Sequence, residues 1–507
     1  MFSNFISYVK SKKLQNISYI LVIALITITG IYLRIEVFLY NQGFWNDEIL
    51  LAPYNIMEKT YFEFFKPLNN YQVAPPFFLI VTKFFYELYT KTNGIEYCEF
   101  GVRFVPLLSS ILAVPAFFIL LSKIFNNKYV IITGLMFFSL NTAAISYSQE
   151  AKQYSTELLF SIILLYIFYT INFKEISLKK IILYSLVIAI SPWFSLSSTF
   201  IIATGCLFLV YESVKDKTFN KKYVIFFVPI ILSILCWYFM FYTPTNEVNY
   251  SYMQSFWSDK MNGIAGNRFL NQNGFEIFYN QLYELIPIFT AKFLTAILFI
   301  TGIFILFAKK YVKILFLTLA PVILCCLFSY FEKYPFTLRL ILFLLPSFII
   351  IISSATFLLK DEAITKRALI IFCICTVLFQ FKGNLYRYII NRTYIKEHYD
   401  FINNNSDKIS GIITFHILDH NYYSNFYNKK IKIYPIAHYE NKREYDDIIN
   451  GLEKNKLYLF SVPSFANITE YIAKENMKYF IKNKKIKVLY INKQMDEAGL
   501  LAVLEKI

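Results

Sequence analysis

Long apolar runs separated by short lysine-rich stretches set the rhythm of this chain. Such runs cover 17–39, 101–122, 129–147, 154–173, 180–195, 197–213, 223–243, 285–308, 311–330, 336–358 and 366–383. A helix rises about 1.5 Å per residue and a bilayer core is about 30 Å thick, so the pattern predicts about eleven transmembrane helices. The fifth and sixth runs are short, and Pro192 and Trp193 stand where one would turn into the next. A further apolar piece, 75–89, is too short to span and is expected to lie along the membrane surface. Past residue 384 the period changes. The runs IITFHIL (412–418) and KIKVLYI (485–491), with a helix-like stretch at 466–482 between them, predict a small α/β domain over 385–507. The remainder, 1–384, is expected to form one helical membrane domain.

Lysine placement orients the spans. With the N-terminus cytoplasmic, one side receives Lys123, Lys128, Lys174, Lys179, Lys180, Lys215, Lys217, Lys221, Lys222, Lys309, Lys310, Lys313, Lys360, Lys366 and Arg367. The opposite short loops hold little beyond Lys152, Lys333 and Arg339, in keeping with the positive-inside rule. The expected topology puts 40–100, 148–153, 244–284, 331–335 and the tail outside a cytoplasmic (inner) membrane. Lys10, Lys12 and Lys13 precede the first run without a small-residue cleavage site, so that run reads as a span rather than a removable signal.

Composition agrees with this division. Of 507 residues, 57% are hydrophobic and 17% charged, and the mean hydropathy is +0.46. A soluble globule could not hide that much apolar surface. The net charge of +16 sits in clusters between apolar runs, which fits cytoplasmic loops and gives no reason to expect nucleic acid. Six of the seven cysteines lie in apolar runs, and no disulfide framework is legible. His416 and His420 flank Asp419 without a metal-ligand motif, so neither metal nor cofactor is expected.

Four polar segments carry the candidate chemistry. NQGFWNDEILL sets the adjacent carboxylates Asp47 and Glu48 just beyond the first span, suited to taking a proton from a hydroxyl, although starting a surface helix is the commoner use of such a cluster. NNYQVAPPFFL offers Gln72 before paired prolines. YSQEAKQYSTE packs Gln149, Glu150, Lys152 and Tyr154 into a turn between two spans. FEKYPFTLRLILFLLP brings Lys333 and, several residues into an apolar run, Arg339. A guanidinium there is costly unless it snorkels or meets an anion, and phosphate suits its planar fork. With Arg103, the ionisable groups gather towards one end of the spans, unlike the midplane sites of ion-coupled transporters. The 244–284 loop adds Tyr252, Phe256, Trp257 and Asp259, fit for stacking on a sugar or for anchoring at the interface.

Together, WNDE, QVAPPFF, YSQEAKQYS and YPFTLR resemble bacterial members of glycosyltransferase family 39, GT-C fold enzymes similar to protein O-mannosyltransferases and lipid A aminoarabinose transferases. The resemblance covers about residues 15–350. It implies a polyprenyl-phosphate-linked sugar donor, transfer at the outer face to a lipid, glycan or protein acceptor, and inversion at the anomeric carbon. Asp47 falls on the motif acid with Glu48 as its companion. Arg339, Lys152, Arg103 and Lys333 would hold the donor phosphate, and Gln72, Gln149, Glu150, Tyr154 and Trp257 would line the substrate pocket. Asp47 and Arg339 are expected to converge there. Lys152 stands where the family usually has Arg, the HPP motif reads Ala74-Pro75-Pro76, and there is no WWD motif of the kind found in oligosaccharyltransferases. The rival class is a transporter or flippase of a lipid-linked substrate.

Overall fold

The computed structural model describes residues 2–93, 98–215, 221–259, 272–287, 292–331, 333–358, 395–405, 407–414, 417–426, 431–436, 442–462, 475, 477–491 and 500–507. The chain forms two compact units, one of Met1–Leu39 with Lys59–Leu385, the other of Tyr40–Glu58 with Tyr386–Ile507. In chain order the helices are α1 (Phe2–Leu39), α2 (Asn46–Leu51), α3 (Pro76–Asn93), α4 (Cys98–Ile124), α5 (Lys128–Ser139), α6 (Thr142–Ser146), α7 (Tyr154–Thr170) and α8 (Leu178–Phe194). There follow α9 (Ser198–Lys215), α10 (Lys221–Trp237), α11 (Thr243–Asp259), α12 (Gln272–Leu285), α13 (Lys292–Ala308), α14 (Val312–Tyr330) and α15 (Leu345–Ser354). All of these except α2 belong to the first unit.

Among the described residues, five helical stretches are long and apolar enough to cross a membrane: Ile17–Leu39, α4, α9, Lys221–Met253 and α14. A sixth arises if Lys128–Ser139 and Thr142–Gln149 are taken as one span bent by 44°. That bend interrupts the run 129–147, which its uniform apolarity predicts as one straight helix. Its cause is Asn141, whose Oδ1 caps α6 by accepting the Ala144 N–H at 2.9 Å while its Nδ2 donates to the Leu285 carbonyl at 2.6 Å. The expected 244–284 loop is also different, since a π-helical turn at Tyr238–Tyr242 carries α10 onward into α11. The run 336–358 is no single helix either. It opens with a turn at 338–340 and a 3-10 turn at Leu342–Leu344, and α15 begins only at Leu345. The run 366–383 lies outside the described residues.

Close backbone approaches hold the helices together. A Cβ on Gly30 would come within 2.7 Å of Ser139 Cβ, and one on Gly302 would collide with the Ile351 carbonyl, so α1 meets α5 and α13 meets α15 at the expense of side-chain volume. Beside the first contact lies Arg34, a fully buried guanidinium in α1. Its Nε donates to Ser110 Oγ on α4 at 2.7 Å, and its Nη1 donates to the carbonyls of Gly30 and Ser139, each at 2.7 Å. Ser139 is the last residue of α5, where the helix end favours a cation. Three helices are thereby clamped just before the bend that leads to the QEAK turn.

The second unit contains a five-stranded sheet ordered β2-β1-β3-β5-β4, with β1 (Ile409–Thr414), β2 (Lys432–Pro435), β3 (Leu457–Val462), β4 (Ile486–Ile491) and β5 (Leu500–Lys506). β2, β1 and β3 are parallel, and β5 runs antiparallel between β3 and β4. Alternation sorts the strand side chains as a period of two requires. Ile413, Tyr458, Phe460 and Leu504 pack on one face with Tyr445 and Ile449 of α18 (Lys442–Gly451). Ile412, Leu459 and Val503 pack on the other with Ile395, Tyr399 and Ile402 of α16 (Ile395–Asn404) and Tyr423 of α17 (Ile417–Phe426). The first strand is shorter than IITFHIL suggests, because helix α17 already starts at Ile417; His416 lies outside the described residues. The Tyr40–Glu58 segment belongs here too, with α2 packed on α17.

Candidate active site

In the first unit, segments far apart in sequence meet at one end of the bundle. The 3-10 turn Tyr147–Gln149 and the residues to Gln153 sit between α6 and α7, and although polar they are buried: Gln149 is 2%, Glu150 1%, Lys152 6% and Gln153 7% exposed. The Lys152 N–H donates to the Glu150 carbonyl at 2.7 Å, closing a tight turn that points the ammonium at the QVAPP segment. There Lys152 Nζ donates to Gln72 Oε1 at 2.7 Å, and Gln153 Nε2 donates to the Val73 carbonyl at 3.4 Å. Asn249 of α11 donates from Nδ2 to the Gln72 carbonyl at 3.3 Å, and Tyr71 stacks on Tyr252 with centroids 4.3 Å apart. Gln72, Gln149, Glu150 and Lys152, read from two separate motifs, thus share one buried polar end of the unit.

Several buried polar atoms there have no hydrogen-bond partner among the described residues. They are both amide atoms of Gln149, Gln153 Oε1, Asn249 Oδ1 and Thr245 Oγ1, the last two on successive turns of α11. Buried polar groups are almost always satisfied, so such a set is suited to a polar ligand or to water. Next to Val73 lies an aromatic wall of Trp193, Trp237 and Phe241, packed by Phe65, Phe77 and Leu196. The Trp193 indole donates to Ser233 Oγ at 2.9 Å, whereas Trp237 Nε1 has no partner among the described residues. Trp193 is read from the sequence only as a turn residue, and neither Trp237 nor Asn249 is singled out there.

The remaining cations and acids are distributed as follows. Glu157, in the first turn of α7, is buried and accepts the Leu196 N–H at 3.2 Å, tying α7 to the turn between α8 and α9. Tyr334 donates to the Leu340 carbonyl at 2.7 Å, bridging the turn that carries Arg339. Burial, and then the nearby Glu157 carboxylate, hold the Tyr334 phenol well above its ordinary range. Arg339 is half-buried and stands in the turn 338–340, not inside a helix as the apolar run implies. Irregular backbone of this kind is tolerated at membrane depth only where protein surrounds it or water reaches it, a setting in which a guanidinium is affordable. Lys333 is exposed and engaged by Tyr250, its Nζ donating to the hydroxyl at 2.8 Å and lying 4.8 Å from the ring centre. Arg103 is buried on α4, seven residues from Ser110 and so on the same helix face. Tyr154 opens α7 with its ring 5.3 Å from Tyr147. Trp257 falls on α11, but its side chain lies outside the described residues.

Asp47 and Glu48 belong to the second unit. The backbone N–H groups of Glu48 and Ile49 donate to the Trp45 carbonyl at 2.8 and 3.0 Å, so WNDE does start a helix. Glu48 Oε2 in turn accepts the Trp45 N–H at 3.4 Å, and the side chain is buried. The adjacent carboxylates therefore differ: Glu48 caps α2, the use that the competing helix-start reading anticipates, while Asp47 is only half-buried. Asn55 closes the segment by donating from Nδ2 to the Leu50 carbonyl at 2.9 Å.

No protein-family model matches the chain, and no curated protein does. Solved structures do. ArnT from Cupriavidus metallidurans in the apo state superposes with a TM-score of 0.50 at 10% identity, over 97% of this chain and 98% of that one. The same protein bound to undecaprenyl phosphate gives 0.49 at 10% identity, over 96% and 98%. An oligosaccharyltransferase of Archaeoglobus fulgidus gives 0.49 at 11% identity, over 88% of this chain and 69% of that one. At such identities the likeness concerns the fold alone, which this chain shares with ArnT.

Proposed function

We propose that this protein is an integral-membrane glycosyltransferase that moves one sugar, a hexose or pentose, from a polyprenyl phosphate to an acceptor hydroxyl or amine at the extracytoplasmic face. Asp47 takes the proton as the nucleophile bonds to the anomeric carbon. The bond from that carbon to the phosphate oxygen breaks, the centre inverts, and the polyprenyl phosphate departs with its charge held by Arg339 and Lys152, aided by Arg103 or Lys333. Arg339 offers two parallel N–H donors; Lys152 offers a point charge. Eleven spans and an outward tail domain complete the assignment, because a lipid-linked donor keeps its chain in the bilayer while its phosphosugar is presented at the interface.

One observation carries this reading above the others. The QVAPP and QEAKQ segments, paired by the resemblance and some eighty residues apart, are joined through Lys152 and Gln72 at a polar site whose Gln149 amide has no partner among the described residues. The choice of Asp47 over Glu48 as base rests on the capping role of Glu48. The test is mass spectrometry of surface glycans and lipid-linked sugars in cells carrying the wild-type chain, Asp47→Asn or no copy. Loss of one glycosylated product and accumulation of its lipid-linked sugar in Asp47→Asn, at normal expression and insertion, is the expected result. An unchanged product in that variant would favour a transporter or flippase.

A further inference from the structure

We propose that the α/β unit exists to position Asp47, with Tyr423 and Lys396 as its positioning residues. The inference rests on the assignment of Asp47 as the base. The segment bearing Asp47 is gripped by tail residues through its main chain: the Tyr423 hydroxyl accepts the Phe44 N–H at 2.7 Å, and Lys396 Nζ donates to the Asn41 carbonyl at 3.1 Å. Main-chain contacts fix the path of a segment whatever its side chains. Asn41 has φ of 46°, a left-handed conformation that turns the chain three residues before Phe44. Phe44, three residues before Asp47, is fully buried with its ring 5.9 Å from Tyr422.

The grip is itself braced. Ser461 Oγ on β3 lies 2.7 Å from His398 Nδ1 of α16 and 2.9 Å from His420 Nε2 of α17, with all three side chains buried. A hydroxyl has one proton to give and two lone pairs to share, so at least one of the two imidazoles donates to Ser461. Tyr399 of α16 donates to the His420 carbonyl at 2.7 Å. The two helices that supply Lys396 and Tyr423 are thereby pinned to the sheet and to each other. A tail whose task was to recognise an acceptor would have no need to hold the backbone of residues 41–44.

The experiment uses the full chain in nanodiscs and three readouts: hydrogen exchange of amides 44–49, binding of undecaprenyl phosphate as the probe, and the glycan product in cells. Tyr423→Phe and Lys396→Ala should each raise exchange at 44–49 about tenfold. Product should fall at least tenfold with undecaprenyl phosphate binding unchanged, and Lys396→Arg should restore it. The proposal is overturned if both variants keep the wild-type exchange or the wild-type product while Asp47→Asn has lost its product. If Asp47→Asn itself keeps its product, the assignment of the base fails, and the proposal that depends on it fails with it.

Discussion

Lys152 Nζ and Gln72 Oε1 stand 2.7 Å apart, bridging a turn between two helices and a loop eighty residues earlier. The contact fixes where the ammonium rests. Lys152→Met should reduce product at least tenfold, and Gln72→Ala by less. The double variant should cost less than the sum of the two single losses, with a coupling of about 1 kcal/mol as expected for residues in contact. Full additivity in quantified product would mean that the contact does not matter to the reaction.

The neighbouring carboxylates should separate cleanly on substitution. Glu48→Gln keeps an acceptor for the Trp45 N–H and should retain most of the product. Glu48→Ala loses the cap and should destabilise the local helix by about 1 kcal/mol. Asp47→Asn removes the proposed proton acceptor and should cost about 100-fold or more in transfer, the usual contribution of a general base. Product quantified at matched protein levels checks the ranking; equal losses for Asp47→Asn and Glu48→Gln would contradict it.

The proposed role of Arg339 is read out as lipid phosphate affinity. Hydrogen bonds to charged groups contribute about 1.5–3 kcal/mol, so Arg339→Ala should weaken undecaprenyl phosphate binding about 10- to 100-fold. Arg339→Lys keeps the charge and loses the fork, and should recover only part of the affinity. Wild-type binding by Arg339→Ala in nanodiscs would remove the residue from the phosphate site.

Arg34 predicts a stability effect. Arg34→Ala leaves the carbonyl of Ser139 and the hydroxyl of Ser110 without the guanidinium that serves them, and should cost about 2–4 kcal/mol. Arg34→Met fills the same volume with apolar atoms and should cost less. Thermal denaturation in detergent distinguishes the two, and a wild-type transition for Arg34→Ala would show that the clamp carries no weight.

Much of this arrangement is legible in the residues themselves. Period-two alternation marks β4, whereas the run read for the first strand overlaps β1 only over 412–414, and the turn after Phe194 falls where Pro192 and Trp193 suggest it. The break before Asn141 is harder to see, because the run around it is apolar throughout and only the Asn-Thr pair hints at a cap. The turn holding Arg339 is hidden for the same reason, since hydropathy cannot tell a helix from irregular backbone buried in protein. Arg34 did carry a signal, as a lone guanidinium deep in the first apolar run, but its partners lie on helices about 75 and 105 residues away. Least legible is the placement of residues 40–58 with the tail, since contacts such as Phe44 with Tyr423 span 379 positions and leave no local pattern.

That long-range pairing imposes an order on biosynthesis. Residues 40–58 emerge from the ribosome more than three hundred positions before the helices that seat them, a delay on the order of tens of seconds. A nascent chain halted after α15 would already own its bundle of helices and yet have no seat for the acid. On the proposed assignment of Asp47 as the base, completion of translation acts as a licence for chemistry, and an interrupted polypeptide would be an inert one.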